Sequence, residues 1–175
     1  MPRTGEYSES LTRNNIGLLA LRVALGAVLC WSGIEALFGP TPSAQIIGSP
    51  AHSYPDLAAQ VLVGAYTIGG AMLVVGLLTP FGACAVLAAM LYVGLHGYSM
   101  RTGLGVAPDW DWIKMPLVLG VGAISVILLG PGRVSVDGRF GRTQWPPAAS
   151  TVLVVAGIGA AIAAWVLVKD TNPLS

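Results

Sequence analysis

Charge is scarce in this chain. Acidic and basic residues make up 10 % of its 175 residues, where a soluble domain carries about 25 %. The net charge is +1 and no basic run occurs, so the electrostatic footprint of nucleic-acid binding is missing. There are two cysteines, Cys30 and Cys84, and no Cys-x-x-Cys pair, which disfavours thiol–disulfide chemistry within the chain. His52 and His96 stand far apart and give no metal-ligand spacing. No Gly-rich phosphate loop or nucleophile elbow is present. At this length there is room for one helical bundle, and no soluble domain able to hold flavin, haem or a metal cluster is expected. Any electron donor would then be a partner.

What the chain has is apolar length. Five stretches, roughly 15–38, 57–78, 81–100, 112–129 and 147–168, exclude almost every charge. Each approaches the ~20 residues that a helix needs to cross a bilayer. The fold class expected is therefore an all-α integral membrane protein. The 23 Gly and 12 Pro form no low-complexity run, and both residues are commoner in membrane helices than in soluble ones. The first stretch exceeds the 7–15 apolar residues of a signal peptide core. Leu29 is too bulky for lipoprotein processing at Cys30, so a retained helix is expected.

Loop arginines and lysines set orientation. Arg3 and Arg13 precede the first span, and Arg133, Arg139 and Arg142 lie between the fourth and fifth. Five spans put these segments on one side, which predicts a cytoplasmic N-terminus and an outer C-terminus. Glu35, His52, Asp56, Gln60, His96, Arg101, Asp111 and Lys114 then gather towards the outer end. Such a set can meet a small anion, a quinone head group or a proton in transit, or simply water and lipid head groups. Arg22 lies about two turns into the first span. A charge there faces protein or a water cavity, unless its long stem reaches the head groups. Glu35 stands thirteen positions along the same helix, about 20 Å away, so a buried Arg22 needs a partner from elsewhere; Tyr66, Tyr92 and backbone carbonyls are candidates. Cys30 and Cys84 differ in depth by roughly 15 Å, too far for a disulfide. Small residues recur every four positions at Ala85/Ala89, Ala156/Ala160/Ala164 and Gly157/Ala161, a spacing that lets helices approach closely.

Four segments carry a resemblance. They are 21–26 (Leu-Arg-Val-Ala-Leu-Gly) leading to 32–39 (Ser-Gly-Ile-Glu-Ala-Leu-Phe-Gly), 69–79 running into Pro80, the polar end of the third span with His96, and 130–137 (Gly-Pro-Gly-Arg-Val-Ser-Val-Asp). Together they resemble the DoxX family of small bacterial membrane proteins over about residues 16–140. The resemblance implies a DoxX-like four-helix transmembrane bundle, with the fifth transmembrane helix as an addition. The domains expected are an N-terminal tail over 1–14, the bundle over 15–140, and a linker, fifth helix and short tail over 141–175. The resemblance carries over Arg22, with Gly33, Gly70, Gly76, Gly130, Gly132 and Asp137 as structural signatures. Family members often have a lysine where this chain has Ala36, an acid where it has Tyr66, and a glutamate before a proline pair where it has Lys114-Met115-Pro116.

Some relatives look like thiosulfate–quinone oxidoreductase subunits, others are similar to subunits of membrane redox complexes, and distant ones act in biogenesis. The function expected is an accessory membrane subunit of a quinone-linked or respiratory redox system. Candidate catalytic residues are Arg22, His96 and Glu35. Candidate quinone contacts are Arg22, Tyr66, Tyr92 and Lys114. No covalently bound cofactor and no metal are expected; a quinone is the candidate ligand. The partners expected are the lipid bilayer of a bacterial inner membrane and other redox or respiratory subunits, docking through helix 148–168, and no nucleic acid. The alternatives are a membrane-protein assembly factor and, with no obvious inverted repeat or broken helix pair to favour it, a small transporter.

Overall fold

The computed structural model describes residues 4–38, 55–103, 111–132, 135–140 and 146–168, with side chains over 15–38, 60–99, 113–132, 135–140 and 146–167. Each apolar stretch forms one long helix: α1 (Thr4–Phe38), α2 (Pro55–Val75), α3 (Thr79–Gly103), α4 (Asp111–Leu129) and α6 (Pro147–Val168); among the described residues a short turn of helix, α5 (Val136–Arg139), precedes the last. No strand occurs among the described residues. Asn15–Phe38, Thr79–Ser99 and Pro147–Leu167 are long and apolar enough to cross a membrane. The apolar parts of α2 and α4 are shorter, Gln60–Val75 and Ile113–Leu129, yet the complete helices have 21 and 19 residues, within the range that spans a bilayer.

Two boundaries move from their sequence-based positions for local reasons. The helical backbone of α1 begins at Thr4, ahead of the apolar run, because Glu6, Leu11 and their neighbours are adequate helix formers. In α2 the helix stops at Val75 although the apolar run continues to Leu78. Gly76 turns to φ 73 there, and the N–H groups of Gly76 and Leu77 both bond the Met72 carbonyl, at 2.9 and 3.2 Å. This is a left-handed cap, which glycine adopts without steric penalty. Pro80 then sits in the first turn of α3, where a missing N–H costs nothing.

The helices α1, α2, α3 and α4 form a ring in that order, closed by packing of α4 on α1; α1 and α3 are diagonal. The fifth long helix, α6, lies outside the ring against α3, with smaller contacts to α4 and α2. Leu25, Leu29, Leu73, Leu87, Val126 and Ile127 fill the centre. Along α1 and α2 the backbones nearly touch. A Cβ at Gly26 would lie 2.6 Å from the Gly70 carbonyl oxygen, and one at Gly33 would lie 3.0 Å from the Thr67 nitrogen. Close approach of this kind drives helix association in lipid, where burial of apolar surface supplies no force. The outer surfaces are apolar too: Trp31, Phe38, Val118, Val155 and Leu167 are exposed, as lipid-facing helices require.

Candidate functional site

The only charged residues found buried among the described ones, Arg22 and Asp137, meet at one end of the ring, where α2 turns into α3 and the α4–α5 loop closes over them. Arg22 is 1 % exposed. Its Nη1 donates to the Pro131 carbonyl, on the loop leaving α4. Asp137, 4 % exposed, interacts favourably with the Arg22 charge. Its two carboxylate oxygens accept from the N–H groups of Leu78 and Thr79, each at 2.9 Å. A carboxylate is favoured there, because the first N–H groups of α3 have no partner within the helix. The Asp137 N–H bonds the Gly76 carbonyl at 3.0 Å, so α5 is stitched to the α2–α3 turn from both its backbone and its side chain. Ser135 caps α5, accepting from Gly138 N at 2.8 Å and donating to the Gly132 carbonyl at 2.8 Å. A Cβ on Gly76 would meet the Arg22 guanidinium at 2.8 Å. Gly130 and Gly132 also take positive φ, 83 and 74, and Gly132 lies against Leu18 of α1. The loop thereby reaches back to the first helix. This cluster ties α1, the α2–α3 turn and the α4–α5 loop together.

A second feature lies further along α3. A cavity of about 310 Å³ opens between α2, α3 and α6. Seven of its ten lining residues are alanines, and Tyr92 is the single lining residue with a polar side-chain atom. Tyr92 is 6 % exposed, and its hydroxyl has no hydrogen-bond partner among the described residues. The His96 ring stacks one turn further on, with centroids 5.9 Å apart and planes inclined by 18°. Such a stack lies within the favourable separation for aromatic rings and fixes the Tyr92 ring.

Residues 17–98 match the family model DoxX. Over that stretch the chain is similar to DoxX proteins. The match takes in the apolar part of α1, all of α2 and most of α3. It ends short of α4 and of the 130–137 segment, which join the DoxX segment through Arg22 and Asp137. No curated protein and no solved structure matches the chain.

Within and around the DoxX segment, the candidate residues fall into separate groups. Arg22, Gly76, Gly130, Gly132 and Asp137 come together in the tie. Tyr92 and His96 form the pair beside the cavity, about 20 and 25 Å along α3 from its first residue. Glu35 and Lys114 are exposed, on α1 and α4 respectively. They share the far end of the ring with His96 and the exposed Gln60, but Glu35 stands on the helix diagonal to that of His96. Tyr66 is half-buried, packed against the core, and Gly33 and Gly70 lie in the α1–α2 contact. His52 and the side chains of Asp56, Arg101 and Asp111 lie outside the described residues, as do most loop charges that bear on orientation. Both cysteines are free: Cys30 Sγ faces the Thr67 carbonyl at 3.6 Å and Cys84 Sγ the Leu153 carbonyl at 3.2 Å. No group of three or more His, Cys, Asp or Glu side chains able to hold a metal occurs among the described residues.

Sequence reasoning named a backbone carbonyl among the candidate partners of Arg22 but missed which one, and it missed Asp137 as a further partner and the cavity. The acceptor of Arg22 is a backbone carbonyl 109 positions away, which no residue type announces. The alanine spacing of α3 and α6 was legible, but it marks two geometries. At Gly157 the helices do close, with a Cβ there 3.2 Å from the Cys84 carbonyl oxygen. One turn further, Ala85, Ala89, Ala160 and Ala164 border the cavity instead.

Proposed function

We propose that this DoxX-like protein is an accessory membrane subunit of a quinone-linked or respiratory redox system, with no cofactor of its own. The observation that carries this reading is the commitment of the buried ionisable residues to architecture. The Arg22 guanidinium is bound to the Pro131 carbonyl and Asp137 caps α3, which supports a role in shaping the bundle over one in turning over substrate. Glu35 and Lys114 are exposed at the other end, where a partner subunit would meet the bundle at the membrane surface. In this reading a quinone would meet the end of α3 that carries Tyr92 and His96, with His96 handling a proton. Tyr66 packs against the core. The N-terminus is assigned to the cytoplasm and the C-terminus to the outer side of a bacterial inner membrane. The lipid-exposed face of α6, with Val155, Ile162 and Val166, is the surface through which a partner helix docks.

The test is isolation of the tagged protein at native expression in mild detergent, with mass spectrometry of what accompanies it. Recovery with oxidoreductase or respiratory subunits supports the reading. Recovery with diverse unrelated membrane proteins supports the assembly-factor alternative, and recovery alone removes the accessory role.

A further inference from the structure

We propose that the exposed side of α5, Arg139 with the neighbouring Phe140, is a binding site for the head group of an anionic phospholipid.

Charge singles out this end of the ring, the one tied by Arg22 and Asp137. The tail that leads into α1 and the connection between α4 and α6 hold Arg3, Arg13, Arg133, Arg139 and Arg142 against Glu6 and Glu9, five charges against two and a balance of +3. Arg22 and Asp137 leave that balance unchanged, because both are buried and attract each other. The remaining three basic and five acidic residues belong to the helix ends and connections on the other side, a balance of −2. A chain of net charge +1 is thus divided into ends of opposite sign, and a negative surface is drawn to the tied one.

Geometry makes a site of it. The Asp137 carboxylate accepts from the Leu78 and Thr79 N–H groups, its own N–H bonds the Gly76 carbonyl, and Ser135 caps the turn. Arg139 and Phe140 continue that fixed turn. Their N–H groups bond the Ser135 and Asp137 carbonyls, each at 3.2 Å, while both side chains are exposed, Phe140 by 75 %. Exposed Leu77, Leu78 and Phe81 stand on the neighbouring α2–α3 turn. The level is the edge of the hydrocarbon layer. The chain entering α5 meets α1 where Gly132 lies against Leu18, about one turn into the apolar span that begins at Asn15.

A cation beside an apolar ring at that level fits one chemistry. The guanidinium presents a planar fork that matches a phosphate, and an aromatic ring at the boundary packs among acyl chains. A zwitterionic lipid brings the phosphate with a cation attached, which the surrounding positive charge disfavours. An acidic soluble protein would match the charge, but it offers no acyl chains for Phe140, Leu77 and Leu78. The inference goes beyond the redox reading and stands apart from it, since lipid binding here needs no electron carrier.

The experiment places the full chain in nanodiscs of phosphatidylcholine with a minor share of phosphatidylglycerol. The protein is then released into mild detergent, and the lipids it retains are identified by native mass spectrometry. Phosphatidylglycerol should be enriched over its share of the bilayer, and the enrichment should fall as salt is added. Arg139→Gln should reduce it about fivefold, the worth of one arginine at an anionic surface. Arg139→Lys should restore part of it, and Phe140→Ser should lower it. These substitutions leave the backbone bonds of the turn in place, so wild-type melting temperatures are expected. Lys169→Gln removes a cation from the chain that follows α6 and should change nothing. Enrichment that ignores salt in the wild-type protein, that survives Arg139→Gln, or that falls equally in Lys169→Gln would overturn the proposal. So would a lack of enrichment, which leaves the basic end to an acidic soluble partner. None of these outcomes depends on whether redox subunits are recovered with the protein.

Discussion

Arg22 shows how a single residue organises the end of the ring. Its charge is stabilised inside the protein by a carbonyl from one loop and a carboxylate from another segment, and each of those has further partners. Removing one side of a buried hydrogen-bonded arrangement leaves its partner unsatisfied and costs about 1–3 kcal/mol. Arg22→Met is therefore expected to lower stability by about that amount, measured by thermal unfolding in detergent, and to lower it whether or not a redox partner is present. Asp137→Asn keeps one oxygen for a single N–H of the α2–α3 turn and loses the charge opposite Arg22, so a cost of about 1–3 kcal/mol is expected. The two changes share partners, so the double variant should cost less than the sum. Gly76→Ala meets two obstacles, a φ of 73 and a guanidinium at 2.8 Å. It should lose at least the ~1–2 kcal/mol of a left-handed non-glycine residue. Tyr92→Phe runs the other way. It deletes a buried hydroxyl that lacks a partner, and the variant should melt at a slightly higher temperature than the wild type. A lower melting temperature would mean that the hydroxyl has a stabilising partner outside the described residues.

At the scale of the elements, the helices were largely legible and their contacts were not. Five apolar runs in lipid can only be helices, because every backbone group must be satisfied internally; the structure has five long helices at those positions. The ends depended on backbone conformation. Glycine at position 76 signals a possible stop, yet the continuing apolar Leu77 and Leu78 hide it. The short α5 was invisible for the same reason, four residues held by Ser135 and by Asp137 reaching across to another turn. Arg22 stood out as a costly charge, but nothing in a side-chain pattern singles out the Pro131 carbonyl as its acceptor. Small-residue spacing shows that backbones could meet without showing where they do. On α6 they meet at Gly157, and Gly157→Leu is expected to lever the helix away from Cys84, costing about 1–3 kcal/mol by overpacking. The sign to look for is faster proteolysis between α5 and α6 with the remaining ring intact. Uniform unfolding of the whole chain would show instead that α6 is integral to the ring.

The described residues form a four-helix ring with a fifth long helix outside it, tied at one end by Arg22 and Asp137 and with an apolar cavity in the groove between α2, α3 and α6. That division assigns stability to the tied end and leaves the exposed ends and the outer face of α6 as the surfaces on which the proposed partner contact is tested. Of the residues expected to gather at the outer end, Glu35, Gln60, His96 and Lys114 share the far end of the ring, opposite the tie made by Arg22 and Asp137. The account makes the protein an accessory subunit, so its central claim is tested by quinone-analogue reduction, assayed for the isolated chain and for the assembly recovered with it. The account predicts no turnover by the isolated chain, turnover by the assembly, and loss of that turnover when the chain is removed. Sustained reduction of the quinone analogue by the isolated chain, abolished by substitution of Arg22 in protein that still folds, would contradict it.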